Sequence, residues 1–127
     1  MRDATAKRDD GFSSIEFALL LPVAVVGVLL VIQVALWAHA RNLAEAAVHE
    51  IAMSRAVEGG VVDEASVVSS YGLNRLDGLA LSNSTQSNAS GVDRLQVSLH
   101  GTYRGVLSFI ALPVDATASV PVERFRP

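Results

Sequence analysis

The first hydrophobic pattern along the chain is a long apolar run. From Phe17 to Ala38 about 22 consecutive positions carry no charge. At a rise of 1.5 Å per residue, a helix of this length spans about 33 Å, close to the roughly 30 Å hydrocarbon core of a bilayer. The run therefore predicts a transmembrane helix, in which Gln33 is the one strongly polar residue. Trp37 near its end suits the aromatic belt at a membrane surface.

The helical pattern continues beyond this run. The following apolar residues recur every three or four positions, which is typical of an amphipathic helix: Leu43, Ala47, Val48, Ile51 and Ala52. The pair Gly59-Gly60 is a stop signal for a helix. We therefore predict one continuous helix from about Ser13 to residue 57, roughly 65 Å long, with its first half in lipid.

The rest of the chain predicts a small mixed unit. A second, shorter helix is expected from Asp63 to Leu79, followed by a polar loop over residues 82–91. After this loop the pattern alternates with a period of two, around residues 95–99 and 114–122, which predicts strands. The stretch between them, TYRGVLSFIAL, predicts a third strand or a short helical turn. Pro121 suits an edge strand.

These elements define an α+β fold. We expect a long N-terminal helix, transmembrane in its first half and amphipathic beyond, packed by a small antiparallel β-sheet of two to four strands with a short second helix. The predicted organisation is a charged leader (1–11), a transmembrane helix (12–40), an extracytoplasmic continuation of the helix (41–60) and a small extracytoplasmic α+β domain (61–127). The sheet needs an apolar partner, and the outer half of the helix is the obvious one.

Charge and composition narrow the function. The chain has 127 residues, no cysteine and a formal net charge of −3. No basic patch stands out, so nucleic acid is not expected as a partner. Arg2, Lys7 and Arg8 precede the apolar run, whereas Arg41 and Arg55 follow it. This slight bias favours a single-pass protein of the cell membrane with its N-terminus in the cytoplasm and its C-terminus outside.

Catalytic and metal-binding patterns are missing. The segment HEIAM begins like the zinc motif H-E-x-x-H, but Met53 stands where the second histidine belongs. The three histidines, His39, His49 and His100, show no ligand spacing. We therefore expect neither an enzyme nor a metal or other cofactor.

The start of the apolar run raises two further interpretations. Ser13 lies three residues before Glu16, which fits a capping box at the start of a helix. Ala38-His39-Ala40 offers an A-x-A site for secretory signal cleavage. Against cleavage there, the apolar run is longer than a signal peptide's, and the helical pattern continues through the site unbroken.

The string GFSSIEFALLLPV, beginning at Gly11, resembles the start of TadE-like minor pilins and pseudopilins of the Tad (tight adherence, or Flp) type IV pilus system. In such precursors a short charged leader ends in glycine, a prepilin peptidase cuts after it, and the fifth mature residue is glutamate. The resemblance implies cleavage between Gly11 and Phe12, with Glu16 as the fifth residue. It also suggests N-methylation of Phe12. Pro22 matches the proline that follows the aliphatic stretch and predicts a bend in the helix.

The same resemblance implies partners and a function. The partners would be the prepilin peptidase, other pilin-like subunits, the inner-membrane pilus assembly platform and the lipid bilayer. The function would be assembly of a Tad-type pilus, with a role in adhesion or surface attachment. Glu16 would pair with the new ammonium group of a neighbouring subunit, or would only cap its own helix. The alternative function is an unprocessed, membrane-anchored binding module.

Overall fold

The computed structural model describes residues 9–57, 61–87 and 92–122, with side chains from Ser14 onward. Most of the predicted leader, the pair Gly59-Gly60 and the chain after Val122 lie outside the described residues. The elements in chain order are α1 (Asp9–Ala56), α2 (Glu64–Ser70), a 3₁₀ turn (Leu73–Arg75), and the strands β1 (Asp77–Ser87), β2 (Asp93–Arg104) and β3 (Ala111–Pro121). The predicted α+β class is confirmed.

Helix α1 is continuous over 48 residues, or about 72 Å. It runs through Pro22 without interruption, and the bend expected there stays a prediction. It begins at Asp9, earlier than the expected start near Ser13. A lone glycine at position 11 costs a helix only about 1 kcal/mol relative to alanine, and no proline precedes Pro22, so nothing local stops the helix at residue 13. Its end at Ala56 agrees with the predicted end near residue 57.

The three strands form one antiparallel sheet in the order β1-β2-β3. Leu99 in the central strand pairs with Leu81 on one side and Ala116 on the other. The alternating residues of β2 and β3 face α1 and are buried, whereas their neighbours are mostly exposed. Pro121 ends the edge strand β3, where a residue without an N–H group is tolerated.

The core lies between this sheet and the second half of α1. Four alanines form most of the helix face, and their small side chains let the sheet approach closely. The largest fully buried apolar side chains are Ile51 on the helix and Leu99 on the sheet. Among the described residues, the buried apolar side chains are Ala40, Ala44, Ala47, Val48, Ile51, Ala52, Val68, Leu73, Leu76, Leu95, Val97, Leu99, Val114, Ala116, Ala118 and Val120.

The second helix is shorter than predicted. Helix α2 ends at Ser70 instead of Leu79, because Gly72 adopts a left-handed conformation with φ of +69°. Glycine reaches this conformation without the steric cost that other residues bear. The chain then makes the 3₁₀ turn and enters β1 at Asp77, so the last predicted helical residues are extended.

The prediction of a polar loop over residues 82–91 is also wrong for residues 82–87. Ser82 to Ser87 form the second half of β1 and pair with β2 from Ser98 to Asp93. Local preference for a turn is overridden here, because pairing with the central strand satisfies the backbone. The stretch TYRGVLSFIAL divides differently as well. Its start ends β2, its end begins β3, and residues 105–110 form the connecting turn, here called the β2–β3 loop.

Candidate assembly and membrane-anchoring site

The predicted processing residues all lie on the first turns of α1. Gly11, Phe12 and Ser13 are helical, and their side chains are outside the described set. Position 13 therefore lies inside the helix of the uncut chain, four residues after its start. Positions 12 and 16 are one turn apart, so they share one side of α1. None of the proposed roles of these residues is tested by this arrangement.

Glu16 is exposed at the head of the apolar run. Among the side chains that the structure describes, none forms an ion pair with it. A carboxylate in the first turns of a helix is favoured by the free amide groups and the helix dipole. Glu16 thus offers an exposed carboxylate, with no ion-pair partner among the described side chains, where the apolar run begins.

The apolar half of α1 stands free of the rest of the protein. Within the described part of the chain, one helix is long and apolar enough to cross a membrane, and little of its most apolar window is buried, with a mean hydropathy of 2.8. Phe17, Leu19, Val23 and Val31 each expose about two thirds or more of their surface. A soluble core helix would bury these side chains, so this surface needs lipid or other apolar helices around it.

Gln33 is the exception on this surface, with only 1% of its area exposed. The β2–β3 loop covers it, and its Oε1 accepts a hydrogen bond of 3.2 Å from the backbone N–H of Leu107. Gly105 permits this contact: a Cβ atom there would lie 2.9 Å from Tyr103 Cε1 and closer still to Gln33 Oε1. The Gln33 Nε2 group has no hydrogen-bond partner in the described part of the chain.

Trp37, one turn after Gln33, fixes the sheet to the helix. Its indole N–H donates a hydrogen bond of 2.8 Å to the carbonyl oxygen of Pro113 in β3. Its ring is partly buried against the core. Gln33 therefore binds the β2–β3 loop, and Trp37 binds the start of β3, which follows that loop directly. The sequence distinguished Gln33 as the polar residue of the apolar run and assigned Trp37 to the aromatic belt, but it could not reveal that both bind this distant segment.

Polar pairs hold the other end of the helix. Arg55 near the end of α1 forms an ion pair with Glu64 at the start of α2. The Tyr71 hydroxyl donates a hydrogen bond of 2.7 Å to the Glu50 carboxylate. This hydrogen bond, followed by desolvation and the Glu50 charge, raises the pKa of Tyr71 above its ordinary value of 10.0. These contacts tie α2 to the helix that carries the sheet.

The remaining surface offers little chemistry. On the outer sheet face, His100 Nδ1 and Asp115 Oδ1 lie 2.7 Å apart across β2 and β3. Over the residues described, no group of three or more histidine or acidic side chains could hold a metal ion. A shallow groove runs between α1 and α2, lined by His39, Leu43 and Tyr71 among others.

Together these features define a small α+β protein built on one long helix, whose free half is suited to a membrane. The family model of TadE-like proteins matches residues 11–53, about a third of the chain. The match begins at Gly11 and includes Glu16, the apolar run and most of the helix that carries the sheet. It confirms the resemblance seen at GFSSIEFALLLPV and links this part of the chain to Tad pilus systems. Comparison with curated proteins and with solved structures gives no match.

Proposed function

We propose that the protein is a minor pilin or pseudopilin that a prepilin peptidase cuts after Gly11 and that then takes part in assembly of a Tad-type pilus. Its role is structural and not catalytic, and it contributes to adhesion or surface attachment. The observation that carries the proposal is the family match, because residues 11–53 contain the cleavage pair, the glutamate and the apolar helix in one segment.

The physical basis is the exposed surface of α1. Before assembly, side chains such as Phe17 and Val31 would face lipid, and the helix would anchor the subunit. During assembly the same surface would pack against the helices of pilin-like neighbours, with the platform in the inner membrane bringing the subunits together. A helix that remained buried in its own domain could do neither.

Glu16 would supply the register of this packing. Cleavage creates an ammonium group on Phe12, and the corresponding group of a neighbouring subunit would pair with the Glu16 carboxylate. A charge at the centre of a bilayer costs about 2.5–3.5 kcal/mol on insertion scales, and less near the interface. Burying the Glu16 carboxylate between helices carries a desolvation cost unless an opposite charge lies next to it. Pairing with the ammonium group of a neighbour therefore favours one axial position of the two helices relative to each other.

The test compares two carboxylates on the same helix. Glu16→Gln should leave cleavage intact and abolish incorporation of the subunit into pili. Glu45→Gln is the matched control, because Glu45 is exposed on α1 and its ion pair in the described part of the chain is a 3.3 Å contact with Arg41, itself exposed. Cleavage is read from the intact mass and assembly from the amount of this subunit in sheared pili. Equal incorporation of both variants would remove Glu16 from assembly and leave it as a helix cap.

The alternative is an unprocessed, membrane-anchored binding module. The groove between α1 and α2 is the surface that favours it. A chain that keeps residues 1–11 in the presence of an active prepilin peptidase, and that never enters pili, would select this alternative.

A further inference from the structure

We propose that the β2–β3 loop inserts its apolar side chains into the outer leaflet of the membrane beside α1, so that the protein holds the bilayer at two points. The loop, residues 105–110, exposes 82% of Phe109 and 56% of Val106. From Gly105 to Val114 the chain has no charged residue. Leu107 of the same loop binds Gln33, so these exposed side chains lie on a loop that sits against the apolar half of α1, and a large exposed apolar surface marks a membrane or partner contact.

The depth of the loop follows from its contacts with α1. The charge on Glu16 places the inner membrane boundary near Phe17, and a 30 Å hydrocarbon core then takes about 20 residues, ending near Leu36. Gln33 lies about 5 Å inside that outer boundary. Because Gln33 Oε1 binds Leu107 N, the loop backbone lies at the same depth.

Burial along α1 agrees with this depth. Leu29 lies one turn before Gln33 on the same side of the helix and is partly buried. Its neighbours Val28 and Leu30 expose 59% and 44% of their surface. Partial burial on this side of α1 therefore extends about 6 Å from Gln33 towards the bilayer centre.

Two backbone N–H groups of the loop are paired, one with α1 and one within the loop. Irregular backbone within the hydrocarbon region is costly unless its N–H and C=O groups are paired. Leu107 N–H donates to Gln33, and Ile110 N–H donates to the Leu107 carbonyl at 3.0 Å. The hydrogen bond to Leu107 therefore explains why a polar residue, Gln33, lies within an otherwise apolar run.

Charged residues flank the apolar segment at both ends in sequence. Arg104 pairs with Asp77 at 3.2 Å, and its side chain is 58% exposed. At the other end, Asp115 faces His100 on the outer sheet face. In sequence the apolar residues thus lie between polar groups that would stay at headgroup level, as in segments that sit in the membrane interface.

The absence of cysteine in the natural sequence makes a direct test practical. Phe109→Cys is labelled with an environment-sensitive fluorophore, and the full chain is reconstituted into vesicles of phosphatidylcholine and phosphatidylglycerol. Val61→Cys is the matched control, because Val61 is apolar and 98% exposed. Val61 and Arg55 line the same surface cleft. Arg55 lies about 27 Å further along α1 than Trp37, so the control position is far from the expected membrane surface. Both substitutions are at exposed side chains, and unchanged Trp37 emission shows that the fold is kept.

The readout is quenching by lipids that carry a nitroxide near the headgroup or deep in the acyl chain. We expect the label at position 109 to emit at shorter wavelength and to be quenched about two- to threefold more than the label at 61, most strongly by the shallow nitroxide. Equal, weak quenching at both positions would overturn the proposal. Shielding at 109 that disappears on dilution of protein in lipid would also overturn it, since the loop would then contact a second copy. The inference rests on α1 crossing the membrane and not on cleavage, so its failure leaves the proposed function standing.

Discussion

Replacing Ile51 with alanine should loosen the sheet from α1 without unfolding the membrane half of the helix. Ile51 is fully buried between α1 and the sheet, in a core whose other helix residues are mostly alanine. Isoleucine-to-alanine changes at such positions cost about 2–5 kcal/mol, because they remove apolar contacts and leave a cavity. Surrounding alanines cannot extend to fill that cavity, so we expect a loss of about 3 kcal/mol in the free energy of unfolding.

This loss is large for the unit concerned. Small domains have total stabilities of only about 5–15 kcal/mol, and each kcal/mol shifts their melting temperature by about 4–8 °C. The variant should therefore melt about 15 °C lower than the parent protein. Met53 is two residues further along α1 and 65% exposed. Met53→Ala is the matched control, and it should change stability by no more than about 0.5 kcal/mol.

Trp37 provides the assay. It is the single tryptophan of the chain, and its indole binds the Pro113 carbonyl in β3, so its emission reports docking of the sheet. Unfolding of the full chain in detergent micelles is followed by this emission and by circular dichroism. The emission should change at lower temperature in Ile51→Ala, while much of the helical signal persists, since the apolar half of α1 stays in detergent. A shift no larger than that of Met53→Ala would refute the packing of the sheet on this helix face.

Two further predictions concern a close approach and a pH effect. Gly105→Ala should lower the free energy of unfolding by about 1–3 kcal/mol in the same assay, because the new methyl group overlaps Gln33. Gly27→Ala is the control and should leave stability unchanged, because a Cβ atom there has nothing within 4 Å. Equal effects of the two substitutions would contradict the close contact at Gly105. Tyr71 should ionise above pH 10 in an absorbance titration, and Glu50→Gln should lower that pKa. Since the pKa of Tyr71 is raised in the folded state, the contribution of this hydrogen bond to stability is complete below pH 10 and is lost as the pH rises through the folded pKa. An unchanged Tyr71 pKa in Glu50→Gln would contradict this assignment.

The sequence predicted the elements whose signals are long and periodic. The continuous helix followed from the apolar run and the stripe ending at Ala52, and two strands followed from alternation around Val97 and Ala116. The first three residues of β1 were assigned to a helix, and its residues from Ser82 onward were assigned to a loop. From Ser82 to Ser87 every residue is polar, and this part of the strand exists because it pairs with β2. Such pairing is a tertiary effect that local preference does not contain.

The candidate site divides in the same way. Gly11, Glu16 and the apolar run are close in sequence, so a motif could identify them, and the family match covers them all. The contacts of Gln33 with Leu107 and of Trp37 with Pro113 join positions that are 74 and 76 residues apart. Sequence alone marked a polar residue and a tryptophan in an apolar run, but it could not name their partners.

The central claim is that this chain follows the pilin route of processing. The most direct measurement is the intact mass of the membrane-extracted protein, with and without a co-expressed prepilin peptidase. The account predicts loss of Met1 to Gly11 that depends on the peptidase and is blocked when Gly11 is replaced by a bulkier residue. A full-length mass under both conditions would contradict it and leave GFSSIE as the start of an ordinary anchor helix.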